Sequence, residues 1–174
     1  MIIFGIDPGT ATTGYGVIKK VKSSLELVDY GCISTCKDDP MPLRLYSIQK
    51  SLKSLLRQFN PDCVVVEQLF FGANSRTAMT VGQARGVVLS SVASYRLPIF
   101  EYQGLHVKHT LTGNGRADKK EIQKSVMKYL RKRTLRKPTN GYLDDAADAL
   151  AVAICHAIKI KGNKSVKADK SVKG

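Results

Sequence analysis

The chain has 174 residues, 43% of them hydrophobic, which is enough for one domain with a substantial core. Its 28 lysines and arginines outnumber 14 acids, and the net charge of +14 points first to nucleic acid and second to an acidic membrane surface. No stretch reaches the apolar length of a membrane span, and residues 1–7 lack the basic flank of a secretory signal. Cys32, Cys36, Cys63 and Cys155 show no zinc-ligand spacing, so the sequence reads as cytoplasmic with reduced thiols.

Residues 1–7 form a short isoleucine-rich run that ends at Pro8-Gly9, the pattern of a buried strand. Residues 15–21 and 25–35 read as two more strands, and connections this short imply an antiparallel meander. Pro42 opens a helix with apolar residues at Leu45, Ile48, Leu52, Leu55, Leu56 and Phe59, closed by Asn60-Pro61-Asp62. A fourth strand, residues 63–67, is solidly apolar until Glu67. A long helix over 76–95 and a fifth strand over 98–102 follow. Helices are expected over 105–111, 118–133 and 143–159. The order predicts an α/β fold with a five-stranded mixed sheet, an antiparallel meander first and parallel strands after, flanked by helices. This domain occupies residues 1–160, and residues 161–174 are a basic tail with the composition of disorder.

The last helix carries the strongest chemical signal. It is apolar on nearly every side, yet its first turns hold Asp144, Asp145 and Asp148. Buried acids are rare unless their charge is compensated. Asp145 and Asp148 share a face, and two carboxylates ~4 Å apart repel by roughly 4 kcal/mol at an effective dielectric of ~20. A divalent cation between them reverses that sign. The plainer reading, an acid that caps the helix and answers its dipole, accounts for one of the three and suits Asp144. Asp7 and Glu67 each end an apolar strand, where loops converge on a site. If the helix packs its first turn on those strand ends, four carboxylates meet in one cleft. Hard oxygen donors of this kind select magnesium, or manganese in its place, over zinc. Two such ions activate a water and stabilise the leaving oxygen of a phosphodiester. His106 and His109 are also three apart, but without a third ligand nearby they read as solvent or core residues.

Several stretches together carry a family resemblance. They are Gly5-Ile6-Asp7-Pro8-Gly9, Thr13-Gly14-Tyr15-Gly16-Val17, Glu67-Gln68-Leu69-Phe70, Gly82-Gln83-Ala84-Arg85-Gly86-Val87, Phe100-Glu101-Tyr102 and Asp145-Ala146-Ala147-Asp148-Ala149-Leu150-Ala151. Their order and intervals resemble the RuvC Holliday-junction resolvase family, within the ribonuclease H-like nuclease superfamily. The resemblance implies a homodimeric, Mg²⁺-dependent endonuclease that cuts four-way junction DNA by symmetric incisions, leaving 5′-phosphate and 3′-hydroxyl ends, with RuvA and RuvB as partners. It implies Asp7, Glu67, Asp145 and Asp148 as catalytic metal ligands, and Asp144 matches no family acid. As Asp144 lies one turn before Asp148, it could still replace Asp145.

The resemblance gives Phe70 the role of a wedge against an unstacked junction base, while Phe71 reads as core. Lys108 and Lys119 match basic positions near the scissile phosphate, although either alone reads as a solvated charge. Arg76, Arg85 and Arg116 are further candidate DNA contacts, the last in the Gly113-Asn114-Gly115-Arg116 turn. Arg131, Lys132, Arg133, Arg136 and Lys137 form a dense run suited to nonspecific backbone contact. Gly82 and Gly86 interrupt the long helix one turn apart at about 1 kcal/mol each, and they leave a smooth face for close packing. The resemblance puts the dimer contact on this helix, and a C2 pair suits the two-fold junction.

Three other readings compete. A related phosphate loop occurs in sugar kinase, Hsp70 and actin ATPases, but those need two such domains. A RuvC-like nuclease acting on structured or precursor RNA shares the start but not the later stretches. A noncatalytic junction-binding module has no use for four acids in a DNA-facing cleft.

Overall fold

The computed structural model describes residues 1–68 and 75–162. The positions of Phe70 and Phe71, and the tail from residue 163, lie outside them. Five strands form one sheet: β1 (Ile2–Asp7), β2 (Thr12–Val21), β3 (Ser24–Ser34), β4 (Cys63–Gln68) and β5 (Ile99–Gln103). Their spatial order is β3-β2-β1-β4-β5. The first three make the expected antiparallel meander, and β4 and β5 join in parallel. A parallel strand needs a crossover, supplied by α1 (Met41–Phe59) before β4 and α2 (Ser75–Ala93) before β5.

The helices divide between the two faces of the sheet. Alternation along β1 and β4 sends Phe4, Ile6, Val64 and Val66 toward a core with Ile48, Leu52 and Leu56 of α1 and Val88 and Val92 of α2. Ile3, Cys63 and Val65 face the opposite core. There α3 (Gly104–Thr112) and α4 (Lys119–Tyr129) pack around α5 (Leu143–Gly162). As its composition predicts, α5 is buried almost throughout, with Ala146, Ala147, Ala149, Leu150, Val152, Ala153 and Ile154 fully inaccessible.

Most element ends fall within one to three residues of the sequence reading, and three differences have a physical reason. β2 begins at Thr12 rather than residue 15, because Thr12 and Thr13 already pair with Ser34 and Ile33. α4 stops at Tyr129 instead of 133: Arg131 takes a left-handed φ of 52°, and Lys132 N–H donates back to Met127 C=O at 2.9 Å. Residues 131–137 hold five cations and no acid, so no i,i+4 pair sustains another turn. At its start α4 is well fixed, since Asp118 and Glu121 exchange backbone and side-chain hydrogen bonds in a capping box. The third difference is Asp144, which is the second residue inside α5 and not its N-cap.

Candidate active site

Strand register brings the first two acids together. β1 and β4 run parallel with Gly5 opposite Val65 and Ile6 opposite Val66. One step further sets Asp7 beside Glu67 on strands ~4.8 Å apart. Both follow the parity of Ile3 and Cys63, so they face the α5 side of the sheet.

Glycines let α5 come down on those strand ends. A Cβ on Gly14, the partner of Asp7 across β1 and β2, would overlap the Asp145 carbonyl oxygen. A Cβ on Gly5 would overlap the Ala149 carbonyl, and one on Gly16 would lie 2.7 Å from the Leu150 side chain. Only bare backbone permits this approach. It sets the first turn of α5, with Asp145 and Asp148, over the end of β1. Sequence reasoning did not assign this role to Gly14 and Gly16. The signal was present, however, because glycines two apart on a strand strip one face of side chains. Gly104 does similar work at the start of α3, where a Cβ would overlap the Glu67 carboxylate.

The electrostatics report four acids in one field. Asp7 is pushed up to about 8, first by burial and then by Glu67, Asp148 and Asp145, with Lys119 opposing. Glu67 rises to about 7 through burial and Asp148, opposed by Lys108. Asp148 rises to about 6 through burial, against the pull of Lys119 and Lys108. Asp145 is raised mainly by burial. The two lysines of the cleft thus come from α3 and α4, and neither is adjacent in sequence to any of the acids.

Asp144 adds to the charge felt by Asp145 and Asp148, but its oxygens are engaged by other partners. Its carboxylate takes Lys119 Nζ at 3.1 Å on one oxygen and Gln123 Nε2 at 2.7 Å on the other. It therefore ties α5 to α4 and holds Lys119 near the cleft. Gln123 escaped the sequence reading because nothing in its local pattern marks it.

The other candidates separate from the cleft acids. Arg85 pairs with Glu101 on β5. Arg116 is exposed in a turn where its N–H donates to Asn114 Oδ1 at 2.9 Å. Arg76 lies in the first turn of α2, and its side chain is outside the described residues. His106 stacks against Tyr102 with ring centroids 6.0 Å apart. Among the described residues, no three His, Cys, Asp or Glu side chains are arranged to hold a metal ion as they stand. The donor chemistry of the cleft nonetheless fits a hard divalent cation. It offers four oxygen-bearing side chains whose mutual repulsion and burial penalise the ionised state.

Comparison with known proteins agrees with this architecture. The family model described as "Crossover junction endodeoxyribonuclease RuvC" matches residues 3–156. A protein of that description from Syntrophomonas wolfei is 48% identical over 156 residues, covering 90% of this chain and 88% of its own. Another from Desulforamulus reducens is 47% identical over 157 residues, covering 90% and 93%. The solved structure of Thermus thermophilus RuvC in complex with Holliday junction substrate superposes with a TM-score of 0.83 at 31% identity, covering 93% of this chain and 96% of that one. The fold is therefore the ribonuclease H-like resolvase fold, and the chain belongs to the RuvC family of crossover junction endodeoxyribonucleases.

Proposed function

We propose that this chain resolves Holliday junctions, cutting four-way DNA by symmetric phosphodiester hydrolysis to leave 5′-phosphate and 3′-hydroxyl ends. The observation that carries the reading is the register that sets Asp7 beside Glu67, under the glycine-seated turn bearing Asp145 and Asp148. Asp7, Glu67, Asp145 and Asp148 would hold Mg²⁺, with two ions per site and Mn²⁺ as a substitute. A bound ion of this kind polarises a water and neutralises charge on the leaving oxygen.

The chain's own residues do the remaining work. Lys108 and Lys119 sit where they offset the acid field, and they draw the scissile phosphate toward a cleft that would otherwise repel it. Phe70, just beyond β4, is the wedge that stacks on an unpaired base. Its replacement by alanine is expected to lower junction cleavage by about ten-fold, since one base–aromatic stack contributes roughly 1–3 kcal/mol. Arg76, Arg85 and Arg116 are further backbone contacts, with Arg85 exchanging Glu101 for phosphate. The acting species is a C2 homodimer that presents two clefts to opposing strands. Support for the dimer comes from α2, where a Cβ on Gly82 or Gly86 would meet nothing within 4 Å and Met79 is 68% exposed. RuvA and RuvB are the partners this reading implies, and the cytoplasm, where the DNA lies, is its location.

A substrate panel tests the proposal. Synthetic four-way junction, linear duplex and RNA–DNA hybrid are each incubated with the protein, with and without Mg²⁺. Symmetric cutting of the junction alone, dependent on Mg²⁺ and lost in Asp7→Asn, is expected. Equal cutting of the hybrid would make the chain a ribonuclease, and cutting in the presence of chelator would remove the metal from the account.

A further inference from the structure

The basic run at 131–137 acquires a definite place in the fold. The segment between α4 and α5 lies along the outer strand β3, and the two border an open groove of about 420 Å³. Tyr30, Gly31 and Cys32 form one wall, and Arg136, Lys137 and Asn140 belong to the other. Two ties fix the segment to the strand. Tyr30 donates its hydroxyl to Arg136 C=O at 3.0 Å and accepts from Arg136 N–H at 2.7 Å. Cys32 donates its thiol to Tyr142 C=O at 3.3 Å, and Gly141, at a φ of 85°, presses so close to Cys32 that no side chain fits there. Exposed cations on free loops are common. Cations whose own backbone is clamped by a tyrosine are not free to drift.

The groove opens beside the acid cleft. Cys32 in its wall pairs with Gly14 across β2 and β3, and Gly14 in turn pairs with Asp7 and lies against the Asp145 carbonyl. Arg131, Lys132, Arg133, Arg136 and Lys137 are all exposed, and none is in an ion pair among the described residues. The one acid in the groove, Asp29, already accepts from the Tyr15 hydroxyl at 3.2 Å. Unpaired cations on a clamped segment next to a phosphodiester cleft match the charge of a nucleic-acid backbone.

We propose that the groove between β3 and residues 136–140 binds the sugar–phosphate backbone of the DNA arm leaving the acid cleft, with Arg136 and Lys137 on its phosphates and Tyr30 as the residue that positions them. This rests on the reading of the chain as a junction nuclease. Binding of this type carries affinity and salt dependence, and no choice of sequence.

The test measures junction affinity against salt concentration for the full chain. Arg136→Ala with Lys137→Ala is expected to weaken binding and to lower the slope of log K against log salt by about two, near 0.9 for each phosphate no longer neutralised. Cleavage at saturating junction stays within about two-fold of wild type, because the deficit falls on binding. Lys50→Ala with Arg57→Ala removes the same charge from α1, on the opposite face of the sheet, and leaves the slope unchanged. Tyr30→Phe deletes both ties to Arg136 and is expected to weaken binding about five-fold. In the Arg136→Ala, Lys137→Ala background it adds nothing, whereas a merely structural tyrosine would cost the same in both. The inference is overturned if the Arg136/Lys137 pair keeps the wild-type slope, if the α1 pair lowers the slope equally, or if Tyr30→Phe is additive. Wild-type protein that fails to prefer junctions would instead sink the underlying reading, so the two failures are distinguishable.

Discussion

Asp144 and Asp145 are neighbours on α5, yet the fold gives them different surroundings. Both oxygens of Asp144 are taken by Lys119 and Gln123, while Asp145 sits over Gly14 and adds to the field at Asp7. Removing Asp144 therefore costs an exposed ion pair and the aim of Lys119. A pair of that kind is worth about 0.2–1 kcal/mol, so Asp144→Ala is expected to reduce cleavage by no more than about 5-fold. Asp145→Asn, which on the proposed reading removes a metal ligand, is expected to reduce it by at least about 100-fold in the same single-turnover assay. A reversal of that order would move the metal site one residue along the helix. Sequence alone suggested a cap for Asp144 because acids at a helix start commonly are one. Its real partners lie 25 and 21 positions away, a relation that no local pattern encodes.

His156 offers a second test at the same scale. It is 1% exposed, its Nδ1 lies 3.0 Å from the Tyr102 hydroxyl, and Phe100 covers the ring at 4.2 Å. Burial, with Lys20 nearby, pushes it down to about 4 from an ordinary value of 6.5. The unfolded chain therefore binds a proton between those values that the folded chain refuses, and stability falls as pH drops through that window. The loss approaches about 3 kcal/mol at ~1.4 kcal/mol per unit. Urea unfolding of the wild type and of His156→Gln at pH 7 and pH 4.5 isolates it, because the raised cleft acids push stability the other way alike in both proteins. On going to pH 4.5 the variant is expected to lose less stability, or gain more, than the wild type. An unchanged difference would mean that the ring protonates without cost.

At the scale of elements, the site depends on how closely α5 lies on β1 and β2. Gly14→Ala forces a methyl against the Asp145 carbonyl, and overpacking of this sort costs roughly 1–3 kcal/mol. The variant is expected to unfold at lower urea and to lose cleavage even where it remains folded, because Asp145 is lifted from Asp7. Full activity in a folded Gly14→Ala protein would show that the seam is not what sets the site. The elements themselves were largely legible. Apolar runs ending on acids located β1 and β4, the 3-and-4 spacing located α1, and the all-apolar pattern located α5. The seam was not legible, since Gly14 in isolation reads as part of a turn. The glycines of α2 show the opposite case. Gly82 and Gly86 do mark a smooth helix face, but nothing within the described chain covers it.

For the whole molecule, the informative contrast is an acid cleft inside a chain of net charge +14. Composition points to a polyanion as the partner class, in keeping with membership of a family of crossover junction endodeoxyribonucleases. Without a cation, the cleft is a liability to the fold. Burial and mutual repulsion raise Asp7, Glu67 and Asp148 to about 8, 7 and 6. Asp7→Asn removes one repelling charge at nearly constant volume, so in chelator at pH 8 it is expected to melt higher than wild type by a few degrees. A lower melting temperature would mean that the Asp7 carboxylate is well compensated without metal. Function and stability then oppose each other at this residue.

The claim that four acids from three separate stretches form one cation site is tested most directly by calorimetric titration of Mn²⁺ into the full chain and its single variants. Asp7→Asn, Glu67→Gln, Asp145→Asn and Asp148→Asn are each expected to weaken binding by about ten-fold or more, while Asp144→Asn binds as wild type does. Wild-type affinity in Asp7→Asn and Glu67→Gln would contradict the account, because the strand-end acids would then stand apart from the site on α5.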